Sequence, residues 1–87
     1  MDQNDWRLGR QDRYLKGVTL LRRTYSRYRE GWDHDHCAFC WAKFMVADGP
    51  GVLHEGYCTE DGYHWVCATC FADFSDAFAW RVREAGA

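Results

Sequence analysis

The chain has 87 residues, 47% of them apolar and 17% aromatic, with a formal net charge of −2. That length is room for one domain, and the apolar content excludes a disordered chain. No apolar run approaches the roughly 18 residues of a membrane span, and the polar, acidic start Met1-Asp2-Gln3-Asn4-Asp5 has no secretory pattern, so the expected compartment is the cytoplasm, with reduced thiols.

Residues 1–11 are polar with one tryptophan and read as a loose lead-in. From Asp12 the pattern turns helical: Tyr14, Val18, Leu21, Tyr25 and Tyr28 recur at spacings of three and four. This predicts an amphipathic basic helix over 12–31, ended by Gly31, with Arg13, Lys16, Arg22, Arg23, Arg27 and Arg29 on its other faces. Residues 1–31 carry eight basic and four acidic side chains, whereas 32–87 carry three and nine. The charge is therefore divided between a basic amino-terminal part and an acidic head spanning 32–87, expected to form one compact domain.

The head opens with Trp32-Asp33-His34-Asp35-His36 and then Cys37-Ala38-Phe39-Cys40. The apolar run 41–46 predicts a strand, 48–51 a loop, and 52–58 a short strand. Asp61-Gly62 is a turn signal, and 63–66 predicts a strand leading into Cys67. His64 and Trp65 alternate there, so one of the two is expected to face solvent. From Cys67 onward Phe71, Phe74, Phe78 and Val82 form a helical core-facing stripe.

Cys-x-x-Cys occurs twice, at 37/40 and 67/70. Two residues between cysteines let both sulfurs of a tight turn converge on one ion, and two such turns complete a tetrahedral four-sulfur site. Cys37, Cys40, Cys67 and Cys70 are thus the expected ligands of one structural Zn2+, although four thiolates also suit iron. Cys58 is left over and reads as a small apolar residue of the head. His34 and His36 are expected to hydrogen-bond around the thiolates, or to replace a ligand.

A cysteine knuckle, a β-hairpin, and a helix bearing the last ligands in its first turn resemble the treble-clef zinc finger over about residues 36–83. The fold class expected is α+β, a basic helix joined to a treble-clef-like head. The segment Trp32-Asp33-His34-Asp35-His36-Cys37-x-x-Cys40-Trp41-Ala42-Lys43-Phe44, with His64-Trp65-Val66-Cys67 and Cys70-Phe71-x-x-Phe74, resembles a group of small uncharacterised bacterial zinc-binding proteins. That resemblance implies a bacterial cytoplasmic origin and no particular activity. HNH-type nucleases also use treble clefs, with an Asp-His pair after the first cysteine pair and an asparagine downstream. Here the Asp-His pairs precede the knuckle and Asn4 is the only asparagine, so no enzyme is expected.

The expected function is a non-catalytic module that binds another protein. Arg22, Arg23, Arg27, Tyr25, Tyr28 and Trp80 are the candidate partner surface. The alternative is a zinc finger that binds nucleic acid through the basic Arg/Tyr helix, its arginines on phosphates and its tyrosines on bases. No small-molecule substrate or membrane partner is indicated.

Overall fold

The computed structural model describes residues 7–84. A one-turn helix α1 (Asp12–Leu15) leads into strand β1 (Thr19–Thr24), followed by β2 (Asp35–His36), β3 (Lys43–Phe44), β4 (Glu55–Thr59) and β5 (Trp65–Val66). Helix α2 (Ala68–Phe78) and strand β6 (Arg81–Glu84) complete the described chain. Four strands form one sheet in the order β5-β4-β1-β6, and β2 and β3 form a separate hairpin. The fold is a small α+β unit with a sheet and a helix near its carboxyl end. The first six residues of the predicted lead-in, and residues 85–87, lie outside the described residues.

The basic helix predicted over 12–31 is corrected. Helicity stops at Leu15, Lys16 turns extended (ψ 128°), and Gly17 adopts φ +76°, a conformation open to glycine. Gly17 N–H then donates to Phe78 O at 2.7 Å, which ties the turn to the end of α2. Residues 19–24 become an interior strand of the sheet, antiparallel to β4 (Leu21↔Cys58) and parallel to β6 (Leu21↔Arg83). The three-and-four spacing that suggested a helix also puts Leu21 and Tyr25, four apart, on one face of an extended chain, where both are buried. Pairing on both edges with segments more than thirty residues away overrides a local helical pattern. Gly31 ends no helix; it lies in a turn at φ +85°.

The carboxyl-terminal helix is shorter than the phenylalanine stripe predicts. Ala79 takes the left-handed conformation at φ 54°, and its N–H reaches Asp76 O and Ser75 O. Trp80 N–H also donates to Ser75 O at 3.1 Å, so the last carbonyls are satisfied and the chain turns away. Val82 then sits in β6 and is 45% exposed. Of the predicted strand 41–46, only Lys43–Phe44 pairs in a ladder, and the strand predicted over 52–58 forms as β4, shifted to 55–59.

Two aromatic clusters make the core. Phe39, Phe74, Phe78 and Trp80 pack between the first cysteine pair and α2, with Phe39 and Phe74 stacked at 4.8 Å. Tyr25, Phe44 and Trp65 pack together with centroids 4.9 to 6.0 Å apart. Gly56 of β4 makes the second cluster possible. A Cβ there would lie 2.8 Å from the Phe44 ring and 2.9 Å from Val66 O. Gly56→Ala is therefore expected to destabilise the fold by about 1–3 kcal/mol through overpacking. Denaturant unfolding checks this, and a midpoint equal to the parent's would show that Phe44 yields freely.

Candidate metal centre

β2 and β3 pair as Asp35↔Phe44 and His36↔Lys43, which closes the chain between them into a tight turn. Cys37 N–H donates to Ala42 O at 2.8 Å and Trp41 N–H to Cys37 O at 3.1 Å, while Trp41 itself takes φ 68°. This knuckle aims Cys37 and Cys40 to one side. The second pair comes from the β5–α2 junction. Cys67 caps α2, its sulfur accepting from Cys70 N–H at 3.4 Å, so both sulfurs sit at the positive end of the helix. Cys37 Sγ accepts from Phe39 N–H (3.5 Å) and from Cys67 N–H (3.4 Å), and the latter bond joins the two pairs.

The four sulfurs lie within 4.8 Å of one another, and Cys40 Sγ is 3.6 Å from Cys67 Sγ. Zinc–thiolate bonds of about 2.3 Å in a tetrahedron put sulfurs about 3.8 Å apart, so the group needs little contraction to hold an ion. All five cysteines are free thiols. Among the described residues, this is the one group of three or more potential ligands. Cys37, Cys67 and Cys70 are buried and Cys40 is half-buried.

Burial and mutual proximity make it costly to ionise these thiols together. Burial first, and then the charge of Cys37, push the Cys70 thiol far above its usual range. Burial likewise pushes Cys67 up to about 11. At Cys40, burial also opposes ionisation, but the Ala42 backbone and the neighbouring thiols hydrogen-bond the sulfur and hold its pKa below the usual value. Ionising all four thiols this close together would set like charges against one another, and a divalent cation held between them would supply the compensating charge. The donor set thus fits a thiophilic metal ion.

Segment 7–11, part of the predicted loose lead-in, clasps the centre. Arg7 Nη1 lies 3.6 Å from Cys70 Sγ and 2.8 Å from Asp73 Oδ2, with its guanidinium 4.5 Å from the Phe74 ring centroid. It places a positive charge beside a site that carries about two net negative charges when four thiolates hold a divalent ion. Gln11 is buried and ties the segment down. Its Nε2 donates to Ala38 O (2.9 Å) within the knuckle and to Arg7 O (2.7 Å), and its Oε1 accepts from Gly9 N–H (2.6 Å). No local pattern signals the contacts to Ala38, Cys70 and Asp73, because they span 27, 63 and 66 residues of sequence.

His34 and His36 do not join the sulfur group. His34 Nδ1 pairs with Asp33 Oδ2 at 2.7 Å, a hydrogen bond that holds the Asp33 carboxyl below its usual range, and the His34 and His36 rings stack edge to face at 4.8 Å. Of the predicted partner surface, Arg22, Arg27 and Tyr28 are exposed and Arg23 is half-buried. Tyr25 and Trp80 are corrections: both are core residues. The Tyr25 hydroxyl donates to Asp35 Oδ2 at 2.8 Å, and Trp80 Nε1 donates to Leu15 O at 2.8 Å, so each buries its ring while satisfying its polar tip. Cys58 is fully buried in β4, and burial raises its pKa. Trp65 is buried and His64 half-buried, so the partly exposed member of that alternating pair is His64.

Changing Arg22, Arg23 and Arg27 together to glutamine is expected to cost less than about 1 kcal/mol, as for exposed charges. Thermal melting checks this; a collapse of the fold would mean that those arginines hold it together. No helix among the described residues is long and apolar enough to cross a membrane. No family model, curated protein or solved structure matches the chain, so what it does has to be argued from the site itself.

Proposed function

We propose that the protein is a small, non-catalytic zinc-binding module that recognises another protein. The observation that carries the metal assignment is the convergence of four thiol sulfurs, three of them buried, within 4.8 Å. Four protein ligands leave no coordination position for a substrate, which is the pattern of a structural rather than a catalytic zinc ion. The order of elements supports a treble-clef reading: a cysteine knuckle, the β4–β5 hairpin, then a helix whose start carries Cys67 and Cys70. Free thiols fit a reducing compartment such as the bacterial cytoplasm.

The protein-binding part rests on the surface. Tyr14, Tyr28, Trp41 and Tyr63 are each more than 40% exposed, a concentration of aromatic rings typical of recognition surfaces. The alternative, nucleic-acid binding, lacks the basic helix it was expected to use, because residues 19–24 form an interior strand. The test is elemental analysis together with capture of partners from the source cell. One zinc per chain and a partner that rebinds the purified protein are expected. Iron in place of zinc would overturn the metal assignment, and failure to recover any rebinding partner would overturn the recognition role.

A further inference from the structure

Cys40 differs from the other three cysteines of the centre in its exposure. Cys37, Cys67 and Cys70 are 1%, 6% and 0% exposed, whereas Cys40 is half-buried. An open cleft of about 600 Å3 adjoins it, and the lining includes Cys40, Cys67 and Cys70 together with Arg7, Ala42 and Leu53. Cys37 is not part of that lining. The centre is therefore open to small molecules from solvent on its Cys40 side.

Cys40 also has a thiol partner within reach. Its Sγ stands 3.6 Å from Cys67 Sγ, across from one cysteine pair to the other. A disulfide holds its sulfurs about 2.05 Å apart, so closing this gap takes a movement of about 1.5 Å. Cys67 is the least buried of the other three cysteines, so exposure and distance select the same two residues. The fifth thiol, Cys58, is fully buried in β4 and lies outside the sulfur group.

We propose that Cys40 and Cys67 form an oxidation site for hydroperoxides, and that the disulfide they make releases the metal ion and unfolds the head. The Cys40 thiolate attacks one oxygen of hydrogen peroxide: an S–O bond forms, the O–O bond breaks and hydroxide leaves. The Cys67 thiolate then attacks the Cys40 sulfur: the S–S bond forms, the S–O bond breaks and a second hydroxide leaves. Two thiolates, one peroxide and two protons from solvent thus give one disulfide and two waters, with two electrons passing from sulfur to peroxide. The new bond takes one cysteine from each pair, and Cys37 and Cys70 alone cannot complete a four-sulfur site. Because a structural metal carries folding free energy, its release dismantles the head, and recognition of a partner is confined to reducing conditions.

This inference rests on the metal assignment and adds its regulation. The experiment treats the zinc-loaded protein with hydrogen peroxide, follows released zinc with a colorimetric chelator, and maps disulfides by peptide mass spectrometry. Zinc is expected to leave in step with a disulfide that links the Cys40 and Cys67 peptides, and a thiol reductant with added zinc is expected to restore the loaded fold. Cys40→His keeps four ligands, since imidazole also binds zinc, but removes the attacking sulfur; its peroxide-driven release is expected to be slower by about tenfold or more.

Zinc that stays bound under excess peroxide overturns the proposal. Release with a disulfide inside either Cys-x-x-Cys pair, or with one that uses Cys58, overturns it as well. So does release from Cys40→His at the parent's rate, and the peptide map of the parent decides alone if that variant takes up no zinc. A parent that carries no metal before peroxide is added overturns the metal assignment itself, and metal analysis before oxidation separates that failure from the others.

Discussion

Cys70→Ser is expected to leave the protein without metal and largely unfolded. Cys70 is fully buried at the start of α2, and its backbone N–H supports the sulfur of Cys67. Losing one thiolate removes a metal bond, and it also unbalances the three that remain. Structural zinc contributes on the order of 10 kcal/mol to small fingers, a magnitude comparable to the whole stability of a domain of this size. Far-ultraviolet circular dichroism and metal content read the outcome, and chelation of the parent protein should reproduce it. A variant that melts with the parent would show that the four sulfurs are packing groups and not ligands.

The second large effect is expected at Phe39, where the metal has no direct part. Phe39 stands between the two knuckle cysteines in sequence, and its ring lies 4.8 to 5.7 Å from those of Phe74, Phe78 and Trp80. Truncation removes a ring that is 1% exposed and leaves a cavity where the knuckle meets α2. Phe39→Ala should cost about 3–5 kcal/mol while the liganding sulfurs remain in place. The expected signature is a lowered melting point with one metal ion still bound per chain in the cold. If metal and fold were lost together even at low temperature, the metal would depend on this packing and would not fold the head by itself.

These two residues mark what was legible in the sequence. The paired Cys-x-x-Cys spacing predicts the metal centre because its constraint is local: two residues between sulfurs, one turn, one helix start. The β5–α2 junction is legible for the same reason, since a strand signal ends at Cys67 and a helical stripe begins after it. Strand β1 is not legible. Its residues Thr19-Leu20-Leu21-Arg22-Arg23-Thr24 alternate poorly because Leu20 and Leu21 are adjacent and both are buried, on opposite faces of an interior strand. What makes them a strand is β4 on one side and β6 on the other. Val82 shows the same limit, continuing a helical stripe by spacing although Ala79 has already ended the helix. Arg7 and Gln11 were hidden for a related reason, because a clasp made with residues 38, 70 and 73 leaves no mark in the composition of the segment that makes it.

The parallel pairing of β1 with β6 has a further consequence. Every other ladder of the sheet joins segments that lie before α2, so three strands can assemble while the end of the chain is still absent. In that state β1 is an edge, with Leu20, Leu21 and a row of unpaired backbone groups open to another chain. β6 covers that edge with only four residues, two of them arginines. Among the described residues, β6 thus covers the β1 edge, and a short strand carrying Arg81 and Arg83 is itself a poor template for a further strand.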